Sequence, residues 1–504
     1  MTIKKFFRIK MSYKILDKTN KFLEKNHNHM INGNWHNSAN DNVLDVINPA
    51  TKKVISKVQL AGKEEVDFAC KSAREAFDSG IWRDMSASKR GKILWKWADL
   101  LEERIEQIVE VEVIDNGMPV IVAKTFIGWA IDWIRYYSGM VDKVTGDNFS
   151  NVISGDNQRF HSYTSYEPVG AVGIIIPWNG PFGTFIIKVA PALAAGCSCV
   201  VKPAEDTPLN ALIIAEAALE AGIPSGVLNV IIGDGSAGEL LVKNSNLDKI
   251  SFTGSTEVGK KIVSQCSNDL KRVTLELGGK SPCIIFNDAN LDIAIPGAAM
   301  AIFSNSGQVC FAGSRLFIQE DIYDEAIKGI ADFSKNLKVG NGFDKDTVLG
   351  PLISSSQYKK VSEYVDIGLK EGADIISGGS IDDDNGFFFN PTVFGKVSKD
   401  MRIAKEEIFG PVLAACPFNS VDEVVDLAND TRYGLGSGIF SNDINKVHNV
   451  ANRIKAGNVW VNHYGGMHPT LPFGGYKESG WGRELGIEGF KTYLEQKTVS
   501  IKLD

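Results

Sequence analysis

Cys310 is the first residue in this sequence whose surroundings suggest covalent chemistry. It lies among small polar residues and glycines, between Gly307 and Gly313, whereas a cysteine that only fills volume more often lies in an unbroken apolar run, as Cys199 does. Glycines beside a nucleophile allow backbone N–H groups to approach a developing oxyanion. Cys310 is therefore a candidate nucleophile, with a simple packing role as the alternative.

Two further residues could serve such a nucleophile. Glu276 lies in an apolar segment, where burial would raise its carboxyl pKa toward neutrality and suit it to act as a general base. The alternative for Glu276 is a buried ion pair with Lys280. Asn179, in the turn Pro-Trp-Asn-Gly-Pro, is a candidate oxyanion donor, although an asparagine at such a place is also a common turn former.

Two glycine-rich segments are candidate phosphate sites, because each follows a predicted strand and opens a predicted helix. Residues 233–238 match G-x-G-x-x-G, but no acidic residue follows about 20 positions later at the end of the next strand. Residues 254–260 resemble the G-x-x-x-x-G-K of a P-loop, but Lys261 stands where a P-loop has the hydroxyl that binds Mg²⁺. A P-loop nucleotidase is therefore disfavoured, and glycines that only make tight turns remain the alternative.

The elements that must position these residues follow from hydrophobic periodicity. From residue 170 onward, strand-length apolar runs alternate with segments of helical period, which predicts βαβ units and a parallel sheet. The predicted strands are residues 171–176, 197–202, 227–232, 249–252 and 273–277. The predicted helices are residues 64–77, 91–113, 210–221 and 257–266. A second α/β series begins after Cys283, with predicted strands at residues 348–352, 373–377, 412–416 and 458–462.

Composition limits the class of partner. Sixty-one acidic and 54 basic residues give the 504-residue chain a net charge of −7, and 44% of its residues are hydrophobic. This composition is typical of a globular protein with a large core, and the length suggests about three domains. An acidic balance gives no long-range attraction to nucleic-acid phosphates. We therefore expect a small-molecule partner and no nucleic acid.

The N-terminal segment does not resemble a secretory signal, and a transit peptide is the alternative, because no acidic residue precedes Asp17, although the segment is Lys-rich and has only one Arg. Residues 1–29 contain no apolar stretch of the roughly 7–15 residues that a secretory signal requires, and no run in the chain approaches the ~18 residues of a membrane helix. We expect a cytoplasmic protein without a membrane partner. Residues 1–29 are expected to form an irregular tail that contains His27 and His29, and Met11 is an alternative start.

Metal and disulfide chemistry are not indicated by the sequence. The seven cysteines are odd in number and include no C-x-x-C pair, and the seven histidines include no H-E-x-x-H. Cys197 and Cys199 run directly into an apolar segment, which favours a buried strand over a metal site. No metal and no disulfide framework are expected.

Seven motifs, in this order, resemble the NAD(P)-dependent aldehyde dehydrogenase superfamily over about residues 31–499. The motifs are Pro177-Trp178-Asn179, Lys202-Pro203-Ala204-Glu205, Phe252-Thr253-Gly254-Ser255-Thr256-Glu257-Val258-Gly259, Glu276-Leu277-Gly278-Gly279-Lys280, Gly307-Gln308-Val309-Cys310, Glu406-Glu407-Ile408-Phe409-Gly410-Pro411 and Pro472-Phe473-Gly474-Gly475. Isolated turns and buried cysteines would not reproduce this series.

The resemblance implies an α/β fold with two domains and a small oligomerisation hairpin. A Rossmann-type parallel-sheet domain for the cofactor would comprise residues 30–145 and 167–280, and a second α/β catalytic domain residues 281–485. The oligomerisation element would comprise residues 146–166 and 486–504. A homodimer or homotetramer is expected on the same grounds.

The resemblance also implies roles for the candidate catalytic residues. Cys310 would be the nucleophile, Asn179 and the Cys310 backbone N–H would form the oxyanion hole, and Glu276 would activate the water that hydrolyses a thioester. Two further residues match positions that help to relay the proton from Glu276, namely Lys188 and Glu484.

The cofactor implied by the resemblance is NAD. Lys202 and Glu205 would bind its adenosine ribose, and Trp178 and Ser255 its pyrophosphate. Glu407 and Phe409 would contact the nicotinamide ribose and ring. Further contacts would come from Gly235, Gly254 and Gly278. A carboxylate at Glu205 accepts hydrogen bonds from ribose hydroxyls and repels a 2′-phosphate. NAD is therefore expected to be preferred, with NADP used more weakly.

Departures from the common pattern lie where the substrate would bind. Gly180 stands where many relatives carry a bulky aromatic residue, Phe311 follows the nucleophile where a smaller residue is common, and Ile187 replaces a tryptophan of relatives that act on quaternary ammonium aldehydes. These differences predict an apolar aldehyde, aromatic or branched. The alternatives are a catalytically inactive relative, disfavoured by the presence of Cys310 and Glu276, and an acyl-CoA-forming enzyme, which generally lacks the deacylating carboxylate.

Overall fold

The computed structural model describes residues 13–39, 42–154, 158–381 and 385–503. The strands are β1 (Asn26–His27), β2 (His29–Ile31), β3 (Asn34–His36), β4 (Val43–Asn48), β5 (Lys53–Gln59), β6 (Asn148–Ser154), β7 (Gln158–Pro168), β8 (Ala171–Ile175), β9 (Ser198–Lys202), β10 (Leu228–Val230), β11 (Lys249–Thr253), β12 (Arg272–Glu276), β13 (Pro282–Ile285), β14 (Arg315–Gln319), β15 (Asp374–Ser377), β16 (Thr392–Gly395), β17 (Val412–Phe418), β18 (Gly436–Phe440), β19 (Asn458–Val461), β20 (Gly480–Trp481) and β21 (Leu494–Leu503). The α-helices are α1 (Asp17–Leu23), α2 (Lys63–Asp78), α3 (Ala87–Glu103), α4 (Ile105–Asp115), α5 (Val120–Ser138), α6 (Pro181–Ala195), α7 (Leu209–Ala221), α8 (Gly235–Lys243), α9 (Thr256–Cys266), α10 (Leu291–Phe303), α11 (Tyr323–Lys335), α12 (Ser355–Lys370), α13 (Arg402–Lys405), α14 (Val421–Asn429), α15 (Ile444–Arg453) and α16 (Gly486–Lys491).

The first large sheet has five parallel strands at its centre. Its order is β20-β12-β11-β8-β9-β10-β2-β3, and β12 through β10 pair in parallel. Every residue of β8 and β9 is buried, because helices cover both faces of a parallel sheet and its strands must be apolar throughout. The predicted α/β class is confirmed. The strand predicted at residues 227–232 is shorter, at Leu228–Val230.

The second large sheet has the order β15-β16-β17-β14-β13-β18-β19. All of its pairs are parallel except β15 with β16. The strand predicted at residues 348–352 is wrong, because this segment makes only an isolated bridge between Val339 and Leu349. Pro351 has no N–H to donate, which prevents a regular ladder there.

The polar segment between the two halves of the first unit forms a hairpin. Strands β6 and β7 pair antiparallel, and β7 pairs along its length with the C-terminal strand β21. The resulting three-stranded sheet joins residues 148–154, 158–168 and 494–503, so described parts of the two segments that the sequence assigned to one oligomerisation element lie together.

One of the four predicted helices is divided into two in the structure. The single helix predicted at residues 91–113 is two helices, since α3 ends at Glu103 and α4 begins at Ile105. Arg104 leaves helical geometry with φ −97° and ψ 4° and forms an ion pair with Glu220 of α7. Both helices pack against α7, and Trp97 of α3 donates to the carbonyl of Ile214 at 3.2 Å.

The N-terminal segment is more ordered than expected. Residues 17–29, predicted as part of a tail, contain helix α1 and strand β1. Glu110 of α4 accepts hydrogen bonds from the Leu16 N–H at 3.1 Å and the Thr19 hydroxyl at 2.5 Å, which fixes α1 on α4. His27 and His29 are buried and do not lie in a polar tail. Met11 lies outside the described residues.

Candidate active site

The carboxyl ends of the parallel strands gather most of the predicted site residues. Lys202 and Glu276 are the last residues of β9 and β12, and Asn179 and Ser255 follow β8 and β11. Ligands of open α/β sheets bind at this edge, where loops and helix N-termini converge. The topology therefore brings four separate motifs to one edge of the sheet.

The loop that carries Cys310 has an unusual backbone. Asn305, Ser306 and Gly307 all have positive φ, at 49°, 55° and 72°. Non-glycine residues in this region cost about 1–3 kcal/mol each, so surrounding contacts must hold the loop in place. Gly307 is required by space as well, since a Cβ there would lie 2.1 Å from the carbonyl oxygen of Gly410.

Gln308 anchors this loop, and sequence analysis did not identify it as functional. Its side chain is buried, its Oε1 accepts the Ile353 N–H at 2.9 Å, and its Nε2 donates to the Pro351 carbonyl at 3.4 Å. A buried polar side chain with these partners fixes the backbone on either side of it. Its place two residues before Cys310 was the available signal.

Asn179 contacts the same loop directly. Its Nδ2 donates to the Gln308 carbonyl oxygen at 2.9 Å, and the Asn305 Nδ2 donates to the Asn179 carbonyl at 3.0 Å. On the other side, the Asn116 Nδ2 donates to the Trp178 carbonyl at 2.6 Å. The predicted oxyanion donor and the predicted nucleophile therefore belong to one hydrogen-bonded unit, and Asn116 and Asn305 are parts of it that sequence analysis missed.

Cys310 is partly exposed and lies against the strand end that carries Glu276. A Cβ on Gly279 would lie 2.3 Å from the Cys310 carbonyl oxygen, so the loop after β12 touches the nucleophile's backbone. Burial raises the pKa of the Cys310 thiol, and the negative charge of Glu276 raises it further. The thiol therefore requires a base or a nearby positive charge to form the reactive thiolate.

Glu276 is buried, and its Oε2 has no hydrogen-bond partner among the described residues. Burial raises the pKa of its carboxyl well above the usual range, and the charge of Glu484 raises it further, whereas Lys188 lowers it. The alternative ion pair with Lys280 is wrong, because within the described part of the chain the Lys280 Nζ also lacks a hydrogen-bond partner. A buried carboxyl with a free oxygen and a raised pKa has the properties of a general base.

Lys188 and Glu484 lie together behind this carboxyl. They form a buried ion pair between α6 and the segment before α16. The Lys188 Nζ also donates to the Ser251 Oγ at 3.2 Å, and the Tyr493 hydroxyl lies 3.3 Å from the same oxygen. The two residues that the sequence placed in one relay are thus in direct contact.

Three of the predicted cofactor positions lie at the starts of two helices, α8 and α9. Ser255 caps α9 by accepting the Val258 N–H at 3.4 Å, and a Cβ on the preceding Gly254 would lie 2.4 Å from the ring of Phe252. Gly235 opens α8, where a Cβ would meet nothing within 4 Å. Helix N-termini with close backbone approach are suited to bind phosphate groups.

The P-loop comparison fails at the same place. Lys260, which would have to reach back to the phosphates, instead pairs with Glu478 at 3.0 Å, and both side chains are exposed.

Lys202 and Glu205 lie beside the segment that precedes α8. The buried Lys202 Nζ donates to the Gly233 carbonyl at 2.5 Å and lies 3.5 Å from the Glu205 carboxylate, which is about two-fifths exposed. Burial lowers the pKa of Lys202, and the Glu205 charge opposes this effect. A charged pair with one accessible carboxylate can accept hydrogen bonds from a diol.

Glu407, Phe409 and Gly278 meet from the two α/β units. The Glu407 Oε1 accepts the Gly279 N–H at 3.0 Å, and a Cβ on Gly278 would lie 2.3 Å from the Glu407 Oε2. Phe409 has a φ of 59°, and its ring lies edge-on to Trp178 with centroids 5.3 Å apart. Burial raises the pKa of Glu407.

A cavity of about 810 Å³ lies between α5 and residues 457–472. Its walls include Trp129, Trp133, Trp460 and Met467. Cavities of this volume are in the range of small-molecule sites.

In the described part of the chain, no group of three or more His, Cys, Asp and Glu side chains could hold a metal ion, and no helix has the length and apolarity to cross a membrane.

Comparisons with known proteins agree on one family. The model of the aldehyde dehydrogenase family matches residues 35–499. The mitochondrial aldehyde dehydrogenase of Homo sapiens is 46% identical over 94% of this chain and 91% of its own length. The NAD⁺ complex of aldehyde dehydrogenase from Bacillus cereus is 43% identical, covers 98% of this chain and 100% of its own, and has a TM-score of 0.95. Betaine aldehyde dehydrogenase from Staphylococcus aureus in complex with NAD⁺ is 40% identical, covers 96% and 95%, and has a TM-score of 0.93. The chain belongs to the aldehyde dehydrogenase family.

Proposed function

We propose that this protein oxidises an aldehyde to a carboxylic acid with NAD as the electron acceptor. The observation that carries the proposal is the hydrogen bond from Asn179 to the Gln308 carbonyl, which holds an amide donor beside the loop of Cys310. Family membership and the buried, partly unpaired Glu276 support the same chemistry.

In the first half-reaction, the Cys310 thiolate attacks the aldehyde carbon and forms a carbon–sulfur bond. The oxygen of the resulting thiohemiacetal is negatively charged and needs hydrogen-bond donors. An asparagine amide has two hydrogens, and Asn179 uses one of them at Gln308, so the second is available to this oxygen together with the Cys310 N–H. A dinucleotide, when bound, would accept the hydride from the thiohemiacetal carbon, and a thioester would remain on Cys310.

In the second half-reaction, Glu276 removes a proton from water as the water attacks the thioester carbon. The carbon–sulfur bond breaks, the acid leaves, and Cys310 returns to its starting state. The free Oε2 of Glu276 can accept this proton, and its raised pKa means that the protonated form is not costly. We assign Lys188 and Glu484, which are ion-paired behind it, to the onward path of the proton.

The residues present fit a dinucleotide. Lys202 and Glu205 would hold the adenosine ribose, the α9 N-terminus at Ser255 with Trp178 would hold the pyrophosphate, and Glu407 with Phe409 would hold the nicotinamide ribose and ring. Gly278 supports this assignment, because a Cβ there would collide with the Glu407 carboxylate, and a Cβ on Gly254 would collide with the Phe252 ring. Gly235 leaves open space at the start of α8. We propose that NAD is preferred to NADP because of the Glu205 carboxylate.

The substrate is proposed to be an apolar aldehyde, aromatic or branched. Gly180 and Phe311 lie beside the oxyanion donor and the nucleophile, and Ile187 precedes Lys188.

We further propose that the protein is a cytoplasmic homodimer or homotetramer, with residues 30–145 and 167–280 as the cofactor domain and 281–485 as the catalytic domain. We assign the oligomerisation element to residues 146–166 and 486–504, and the sheet of β6, β7 and β21 supports an assembly role, because it exposes apolar side chains at Phe149, Ile501 and Leu503. Light scattering after size-exclusion chromatography tests the subunit number.

The activity is tested by following NADH absorbance with NAD and a set of aldehydes. Wild-type protein is expected to turn over, and Cys310→Ala is expected to lose turnover while it retains NAD binding by calorimetry. Cys416→Ala is the matched control, because Cys416 is a partly exposed free thiol in β17, outside the site. Activity of Cys310→Ala within tenfold of wild type would refute the proposal.

A further inference from the structure

Helix α5 carries a row of three aromatic side chains, two of which line the cavity. Phe126, Trp129 and Trp133 are spaced i, i+3 and i+7, so they lie on one face of the helix. Trp129 and Trp133 line the cavity, and the Phe126 ring meets Trp133 edge-on with centroids 5.9 Å apart. The row therefore continues from the cavity wall to Phe126.

Phe126 occupies the space beside the oxyanion donor. A Cβ on Gly183 would lie 2.3 Å from the Phe126 ring, and a Cβ on Gly180, which follows Asn179, would lie 3.3 Å from it. Gly180 has an extended backbone with φ −173°, which any residue can adopt. The absence of a side chain at these two positions is therefore explained by the approach of the Phe126 ring and not by backbone conformation.

The other side of the cavity is also aromatic and leads to the nucleophile. Phe311, next to Cys310, has its ring centroid 5.4 Å from that of Trp460 and 5.7 Å from that of Phe473. The Tyr464 hydroxyl donates to the Phe311 carbonyl at 2.6 Å and holds this segment in place. Gly465 lines the cavity, and a Cβ on this residue would lie 3.4 Å from the Phe311 ring.

We propose that the aldehyde substrate carries a planar aromatic ring and that Phe126 is the residue that selects it. The inference rests on the proposed aldehyde oxidation and adds a substrate class to it. Aromatic rings attract one another in offset or edge-on arrangements with centroids about 4.5–7 Å apart, an attraction that a saturated ring or branched chain does not gain. A cationic aldehyde is the competing outcome of the test, because the exposed Asp132 carboxylate in the cavity wall shares the single Arg135 guanidinium with Asp99 and Glu102.

Two substrates of matched reactivity test the proposal. Phenylacetaldehyde and cyclohexylacetaldehyde have the same carbon skeleton and an unconjugated carbonyl, and they differ in the planarity and π system of the ring. We expect wild-type kcat/KM to favour phenylacetaldehyde by about tenfold, the scale of one to two aromatic contacts. Phe126→Leu keeps an apolar side chain without a ring, and we expect it to reduce this preference to about threefold or less.

A control variant separates this effect from a general loss of an aromatic residue. Phe68 is a partly exposed phenylalanine of α2 that contacts His36, and Phe68→Leu is expected to leave the substrate ratio unchanged. If Phe126→Leu does not fold, Gly183→Ala provides the same test, since its methyl group displaces the Phe126 ring. It should lower kcat/KM for phenylacetaldehyde more than for acetaldehyde.

The outcomes distinguish a failure of the aromatic substrate assignment from a failure of the proposed aldehyde oxidation. A wild-type ratio near one, or a preference for betaine aldehyde as the cationic probe, overturns the aromatic assignment while aldehyde oxidation stands. An unchanged ratio in a folded Phe126→Leu variant, or an equal loss for both aldehydes in Gly183→Ala, removes Phe126 as the selecting residue. If wild-type protein oxidises no aldehyde, the proposed function itself fails.

Discussion

The side-chain amide of Asn179 donates a hydrogen bond to the carbonyl oxygen of Gln308, 2.9 Å away. Asn179 follows β8 of the first sheet, whereas Gln308 precedes β14 of the second, so the bond joins the two α/β units. This hydrogen bond fixes both the orientation of the Asn179 amide and the position of the loop that carries Cys310. Any change that moves one of them is therefore expected to disturb the other.

The first prediction concerns Asn305, which completes this link by donating to the Asn179 carbonyl at 3.0 Å from a backbone with φ 49°. Asn305→Ala removes the donor and adds strain, and we expect the rate of the first NADH turnover to fall about ten- to hundredfold through misalignment. Single-turnover absorbance measures that step without product release.

Asn305→Gly distinguishes the two contributions of this residue. Glycine tolerates the positive φ but has no amide, so the variant should be as slow as Asn305→Ala if the hydrogen bond matters. Recovery of the wild-type rate in Asn305→Gly would show that only the backbone conformation is needed. Asn336→Ala is the control, because Asn336 is exposed at the end of α11 and its side chain donates to the Asp332 carbonyl of the same helix.

The second prediction concerns Glu276, whose Oε2 is unpaired and whose pKa is raised by burial. Glu276→Gln should release one NADH per site in a burst and then turn over about 10²–10⁴ times more slowly, because the thioester forms but lacks a base for hydrolysis. Stopped-flow absorbance gives the burst and the steady state together. The exposed Glu478→Gln is the control, and steady turnover of Glu276→Gln at the wild-type rate would contradict the base assignment.

The parallel strands of the first sheet could be predicted because burial on both faces leaves uninterrupted apolar runs, as in β8 and β9. The strand expected at residues 348–352 failed because an apolar run alone does not guarantee a partner, and Pro351 removes a donor from it. The end of α3 and the start of α4 around Arg104 could not be predicted for a related reason. The helical periodicity of residues 91–113 continues across it, and a tertiary ion pair accompanies the change of direction.

The motifs located Cys310, Glu276 and Asn179 and included Gln308, but they did not show which residues align the nucleophile and the oxyanion donor. Asn305 and Gln308 act through hydrogen bonds to residues that are distant in sequence, and nothing local reports such partners. The burial of the acidic residues of α4 could not be predicted either. The alternation of Glu and Val there is consistent with an exposed face, yet Glu112 is fully buried.

The third prediction concerns cofactor choice. The Glu205 carboxylate is partly exposed 3.5 Å from the Lys202 Nζ, and a 2′-phosphate on the ribose would be repelled by it. Wild-type protein is expected to favour NAD over NADP by about ten- to hundredfold in kcat/KM, the equivalent of about 1–3 kcal/mol. Glu205→Gln should narrow this gap chiefly by improving the use of NADP.

Both cofactors must be measured in both proteins to test this prediction. The surface variant Glu216→Gln, on α7, controls for the loss of one negative charge from the protein as a whole. Equal use of the two cofactors by wild-type protein, or no relative gain for NADP in Glu205→Gln, would contradict the electrostatic explanation.

The last prediction concerns the dependence of stability on pH and rests on Glu112. Its Oε2 accepts a hydrogen bond from the Asn210 Nδ2 at 2.6 Å, and its Oε1 has no partner in the described part of the chain. Burial raises the pKa of Glu112 from 4.5 to about 7. A buried carboxyl that stays protonated in the folded state stabilises the fold only while the unfolded chain is protonated too.

The sign follows from the two pKa values. The stabilising contribution is fully present below pH 4.5, and it is lost as the pH rises to about 7, because the unfolded state releases its proton first. Glu112→Gln has no proton to release, so between pH 5 and 7.5 its Tm should fall less than that of wild type, by at least about 2 °C. Scanning calorimetry across this range measures the difference, with Glu216→Gln as the exposed control. Parallel Tm curves for wild type and Glu112→Gln would mean that Glu112 is ionised in the folded protein despite its burial.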